Sequence, residues 1–214
     1  MPRILHDITR PLVPGFPVWP GDVPCRVRWT QCIGEAGAIV NGSELCMSVH
    51  TGTHADGPFH VLPDGPRIGE APLEAFVGPA RVVDARGRET LDAAWAAEVL
   101  AAGAPERLLV RTGAWTDPAA LPTRFAALDE AAARMLVDAG VRLLGTDAPS
   151  PDPFDSADLP VHHVLLRARA GILENVLLDD VEPGEYELIA LPLRLMEQDG
   201  SPVRAVLREL IRER

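Results

Sequence analysis

Four side chains of metal-binding type fall within one short run, His50-Thr51-Gly52-Thr53-His54-Ala55-Asp56-Gly57-Pro58-Phe59-His60. His50, His54, Asp56 and His60 all stand at even positions, and side chains two apart share a face of an extended backbone. The spacing predicts four donors projecting the same way from the end of a strand. A helix is excluded by Gly52, Gly57 and Pro58. The glycines also let the backbone fold closely round an ion. Imidazole and carboxylate without thiolate suit zinc, manganese or iron(II).

A second group follows downstream. His162-His163 precede Glu174, which lies in the apolar run Gly171-Ile172-Leu173-Glu174-Asn175-Val176-Leu177. A carboxylate there is costly unless paired or metal-bound. Adjacent strand residues point to opposite faces, so at most one of the two histidines serves. Asp147, Asp152, Asp155 and Asp158 are further acidic candidates in the loop over 146–160. Taken singly, each of these has a structural reading: Asp147 as a turn cap, Glu174 at a strand edge, Trp19 as a packing residue, Cys46 as a small buried hydrophobe. Four donors so close together favour metal. Three histidines and two carboxylates exceed one tetrahedral zinc, whereas two ions bridged by carboxylates use them all. Paired ions roughly 3.5–4 Å apart hold a hydroxide and polarise a carbonyl, which is hydrolase chemistry.

The rest of the chain must position these groups. Apolar residues make up 47% of the 214 and charged ones 24%, enough for a real core and too apolar for a disordered chain. The expected fold is one α/β domain over 1–214, a mixed sheet with packed helices, carrying a Pro/Gly-rich arm at about 11–24. Strands are predicted over 25–33, 40–50, 77–85, 107–111, 141–145, 186–193 and 203–207. Helices are predicted over 91–102, with Thr90 as cap, and 128–139, with Gly140 as stop. The segment 161–170 fits either a helix or a strand, and 51–72 is a long loop of the kind that is usually functional.

Charge and composition narrow the partners. With 31 acidic and 20 basic residues the net charge is −11, which disfavours nucleic acid and anionic membrane and leaves a small-molecule substrate. Every basic residue is arginine, so no P-loop, Schiff-base or pyridoxal lysine exists. Arginines are then the only permanent cations for a substrate carboxylate. No apolar stretch is long enough for a membrane helix, and the start lacks a signal-peptide core, so the expected location is cytoplasmic. Cys25, Cys32 and Cys46 read as reduced, mostly buried thiols.

The run from His50 to His60 resembles the His-x-Gly-Thr-His-x-Asp-x-Pro-x-His signature of the cyclase-like metal-dependent hydrolases. The similarity extends nearly end to end, through Trp19-Pro20-Gly21-Asp22, Pro66-Arg67-Ile68-Gly69, residues Leu143 to Ser150, the stretch from His162 to Glu174, Asp179-Asp180-Val181, Leu191-Pro192-Leu193 and residues Ser201 to Leu207. The tail and the Trp19 segment point to the arylformamidase branch, the kynurenine formamidases of tryptophan breakdown. The resemblance implies two zinc ions, with manganese or another divalent metal admissible. It implies that His50, His54 and Asp56 hold the first ion, that Asp56 and Glu174 bridge to the second, and that His162 completes it. It further implies that His60 is the proton donor and acceptor, that Trp19 lines the substrate pocket, and that the fold is of the swivelling β/β/α type in a dimer or larger homo-oligomer. The pattern gives His163 no role. The implied reaction is hydrolysis of N-formyl-L-kynurenine. The alternatives are an isatin hydrolase-like enzyme of the same superfamily, a non-haem iron oxygenase built on His54, Asp56 and His162, and a non-catalytic zinc domain.

Overall fold

A computed structural model describes residues 5–210. In chain order its strands and helices are β1 (Leu5–Asp7), β2 (Arg26–Gln31), β3 (Gly42–Cys46), β4 (His54–Asp56), β5 (Val77–Asp84), β6 (Thr90–Leu91), α1 (Ala93–Ala101), β7 (Arg107–Arg111), β8 (Ala127–Leu128), α2 (Glu130–Asp138), β9 (Leu143–Thr146), α3 (Pro160–Arg167), β10 (Gly171–Glu174), β11 (Gly184–Ile189), β12 (Gly200–Pro202) and β13 (Val206–Glu209). Nine strands form one mixed sheet in the order β1-β13-β11-β5-β7-β9-β10-β4-β12. Its middle, β5-β7-β9-β10, is parallel, and the outer pairs are antiparallel.

Parallel neighbours need crossovers, and α1, α2 and α3 supply them in turn. All three pack on one face of the sheet. Leu108, Val110, Leu144 and Ile172 point at them and bury Trp95, Leu136, Val161 and Leu165. The intervening residues Leu109, Leu143 and Leu173 point the other way, into a second core with Phe76, Val176, Leu188 and Leu207. Burial on both faces is why the central strands read as continuous apolar runs rather than alternating ones. The expected α/β architecture with a mixed sheet and packed helices is therefore present.

Several local expectations are corrected. The segment 161–170 resolves as α3 followed by a turn, with Pro160 in its first turn, where a missing N–H costs nothing. Helix α1 is capped by Asp92, whose side chain accepts from the Trp95 N–H at 2.9 Å, and Thr90 lies instead in β6. Asp129 does the same for α2, accepting from the Ala132 N–H at 2.7 Å. The strands expected over 25–33 and 40–50 pair with each other as a separate hairpin, β2–β3, outside the main sheet. β3 ends at Cys46, so the strand does not run into His50. Residues 11–24 form no helix or strand. Among the described residues no helix is long and apolar enough to cross a membrane.

Candidate metal centre

β4 carries the centre. It lies between β10 and β12, with His54 opposite both Glu174 and Pro202, and Asp56 opposite Gly200. His54 and Asp56 stand two apart on this strand and project to the same side, as the even spacing predicts. His50 and His60 do not share the strand. The chain turns over 50–53, with Gly52 at φ +67°, a left-handed conformation that a side chain would strain. This turn brings His50 back over Asp56, and His60 closes a single 3-10 turn, Pro58–His60. The four-on-one-face expectation is thus half right: two donors come from the strand and two from the turns flanking it.

The side chains converge on Asp56. His50 Nδ1 lies 2.9 Å from Asp56 Oδ1, and His54 Nε2 lies 3.4 Å from the same oxygen. His162, near the start of α3, places Nε2 3.5 Å from Asp56 Oδ2 and 3.3 Å from Glu174 Oε1. His54 Nε2 lies 3.1 Å from Glu174 Oε2. The opposite nitrogen of each ring is held from behind. His54 Nδ1 donates to the Gly52 carbonyl at 2.9 Å, His162 Nδ1 to Asp152 at 2.6 Å, and His50 Nε2 to Asp199 at 2.9 Å. Fixing the outer nitrogen in this way aims the inner lone pair, as metal sites require.

The electrostatics agree with that purpose. Burial disfavours charge on His50, but the hydrogen bonds to Asp199 and Asp56 outweigh it and raise its pKa to about 9. Burial acts likewise on His54, and Asp56 and Glu174 raise it to about 10. His162 is also raised, its burial outweighed by Asp152, Asp56 and Glu174. Asp56 is correspondingly lowered despite its burial, by the three imidazoles. Three buried atoms of the cluster, His54 Nε2, Asp56 Oδ2 and Glu174 Oε1, have only the ion-pair contacts given above and no well-formed hydrogen bond. Such atoms are costly to bury. Donors of imidazole and carboxylate type, convergent and unsatisfied, fit a divalent cation. Donor atoms of His50, His54 and Asp56 lie within 4.8 Å of one another, as do those of Asp56, His60 and His162.

A cavity of about 300 Å³ opens beside the cluster, lined by His50, His54, His60, His162 and Glu174 on one side and by Trp19 and Asp22 on the other. The Trp19 ring rests against Phe154, with centroids 4.6 Å apart. All seven site residues expected from the sequence therefore meet at one place. Other candidates do not. His163 lies outside the cluster and the cavity lining. Asp147 accepts from the Thr112 and Gly113 N–H groups at 2.8 Å each and holds a loop. No arginine is among the residues lining the cavity, so the expectation of an arginine at the substrate carboxylate is not met there. Of the cysteines only Cys25 is buried; Cys46 is exposed on β3, against its reading as a buried hydrophobe.

Two carboxylates have roles the spacing does not disclose. Asp152, fully buried, accepts from the Val161 and His162 N–H groups and also holds the His162 ring, so one side chain caps α3 and aims a donor. Asp199 approaches from the loop before β12, 139 residues away in sequence from the His60 it contacts.

The family model described as "Putative cyclase" matches residues 6–153. The chain belongs to the cyclase family. The match covers the arm, β4 and the whole first signature, while His162, Glu174 and Asp199 lie beyond it. This cyclase-family chain is 47% identical over 212 residues to the kynurenine formamidase of Paracidovorax citrulli, covering 97% of each. In three dimensions it is similar to a solved structure described as a potential metal-dependent hydrolase with cyclase activity, with TM-score 0.81, 29% identity and coverage of 99% and 100%. It is likewise similar to isatin hydrolase A of Labrenzia aggregata bound to benzyl benzoate, with TM-score 0.83, 27% identity and coverage of 96% and 93%.

Proposed function

We propose that this chain hydrolyses N-formyl-L-kynurenine to L-kynurenine and formate, with two divalent metal ions, zinc first among the candidates. The observation that carries the reading is the convergence of five donor side chains beside a cavity walled by an aromatic ring, in a chain so close to a kynurenine formamidase. His50, His54 and Asp56 would hold one ion, and Asp56, Glu174 and His162 the other. Bound there, divalent metal would supply an activated water at neutral pH and polarise the formyl carbonyl. The rest falls to the chain. Trp19 stacks on the aryl ring. His60 Nδ1 is engaged by Asp199, so Nε2 is the atom that carries a proton to the departing arylamine nitrogen as the C–N bond breaks. Water contributes hydroxyl to the formyl carbon and its proton to nitrogen.

Metal content of protein purified without chelator, followed by formylkynurenine turnover on the same sample, tests this. The expected result is about two zinc per chain with kynurenine released. Two ions without that turnover would keep the site and refute the substrate. The likeness to isatin hydrolase supports a second reading, and turnover of isatin against formylkynurenine separates the two.

Asp22, beside Trp19, is the acidic group in the cavity wall outside the metal cluster. We assign it the substrate's α-ammonium. Asp22→Asn should lower kcat/KM for formylkynurenine about tenfold, the worth of one charged hydrogen bond. N-formyl-2-aminoacetophenone, which lacks that ammonium, should be unaffected; an equal loss on both substrates would refute the assignment.

The β2–β3 hairpin exposes Val27 and Leu45, which face each other, and Trp29, which is 61% exposed. Apolar surface of this kind marks an interface, and it supports a homo-oligomer, a dimer or larger. Light scattering should give a mass at least twice 23.0 kDa, and Trp29→Glu should reduce it. A monomeric parent would refute this. The unpaired cysteines fit a reducing compartment, and we place the reaction in the cytoplasm.

A further inference from the structure

One oxygen of Asp199 serves two histidines. Its Oδ2 lies 2.9 Å from His50 Nε2 and 3.0 Å from His60 Nδ1, and the two rings are 4.3 Å apart between centroids. A carboxylate oxygen only accepts, so both nitrogens that face it carry hydrogen. That fixes the His60 tautomer and the orientation of His50: His50 keeps Nδ1 on Asp56, where a bound ion would take the place of its proton, and His60 is left with Nε2 for the cavity.

The backbone is built to hold this arrangement. The Asp199 carbonyl accepts from the Gly57 N–H at 2.7 Å, tying the loop to the residue after Asp56. Gly200 pairs with Asp56 across β12 and β4. A Cβ at Gly200 would lie 2.7 Å from His50 Cε1, so the absence of a side chain there leaves the ring its place against Asp199.

We propose that Asp199 is a positioning residue: it sets His60 as an Nδ1–H tautomer, ready to move a proton at Nε2, and couples that setting to the orientation of His50. The inference rests on the reading that His60 moves the proton. It goes beyond that reading in naming what orients the ring and in linking the proton carrier to a metal donor through one atom.

The test compares metal-loaded wild type, Asp199→Asn, Asp199→Glu, His60→Ala and the double variant Asp199→Asn/His60→Ala, each with metal content measured. Asp199→Asn should lower kcat about 10–100-fold, the range for losing a partner behind a site histidine, with KM within about twofold. Asp199→Glu, which keeps the carboxylate charge, should recover part of the loss. In the His60→Ala background the Asp199→Asn change should add no comparable further loss, because the two act as one unit. An independent readout is the nitrogen-15 spectrum of the His60 ring in metal-free protein, expected as the Nδ1–H form in wild type and mixed in Asp199→Asn. The proposal is overturned if kcat is unchanged, if the losses are additive, or if the ring is Nε2–H in wild type. Loss of both ions from Asp199→Asn would also overturn it, because the lost turnover would then follow from the missing metal and not from the His60 ring. If wild type shows no turnover of formylkynurenine, the substrate reading fails alone, and the spectrum still decides the role of Asp199.

Discussion

His60→Ala should retain its metal and lose about 10²–10⁴ in kcat, the usual contribution of a positioned acid or base. The prediction separates two arrangements that the geometry brings close. A donor atom of His60 lies within 4.8 Å of donors on Asp56 and His162, so the residue sits near enough to be taken for a ligand. Its exposure argues otherwise. The side chain is 27% exposed to the cavity, whereas those of His50, His54 and His162 are 17%, 2% and 4% exposed. A group that must exchange protons with substrate needs that access, and a metal donor does not. Elemental analysis beside steady-state kinetics decides the matter. If the variant loses its ions together with its activity, His60 is a ligand and the division of roles is wrong.

Asp56→Ala should lose both ions and all turnover above background. Asp56 is 2% exposed and faces His50, His54 and His162. Removing it takes away the one carboxylate that all three imidazoles approach, and added zinc should not restore activity. The same carboxylate gives metal loading a pH dependence. In metal-free protein His50 and His54 titrate at about 9 and 10, so at pH 7 both hold protons that an ion must displace. Apparent affinity should therefore rise with pH up to that range, with proton release measurable by calorimetry in buffers of different ionisation enthalpy. Stability of the metal-free form should run the opposite way. Both histidines are raised when folded, so their contribution is complete below the unfolded value near 6.5 and is lost as pH climbs through 9 to 10. Affinity independent of pH would show that the imidazoles are already neutral.

The chemistry was more legible than the geometry that delivers it. His50, His54, Asp56 and His60 announce themselves by type and density, because donors cluster wherever one short segment wraps an ion. Their even spacing suggested a single extended face, yet Gly52 at positive φ folds the chain back, and a turn reaches what a strand would not. His162 and Glu174 were readable as candidates by a polar residue in apolar surroundings. That they meet Asp56 depends on the pairing of β10 with β4, which local pattern does not encode. Asp199 was invisible for the same reason: an aspartate before glycine looks like any turn, and only β12 brings it beside His60. Among the elements, the parallel strands β5, β7 and β9 and the two Asp-capped helices followed from apolar runs and periodicity, whereas the apolar run that forms β10 is not among the strands expected from the sequence. The short strands β1, β4 and β12 escaped because three residues carry too little pattern to be distinguished from loop.

The placement of β4 sets when a nascent chain can first bind its ion. This strand leaves the ribosome well before the two strands that clasp it, β10 and β12, are translated. Contacts of such long range form late and slowly. An unfinished polypeptide therefore exposes a run of histidines without the carboxylates and backing groups that discriminate among cations. Discrimination among cations at this cluster would therefore begin only once β10 and β12 have closed on β4.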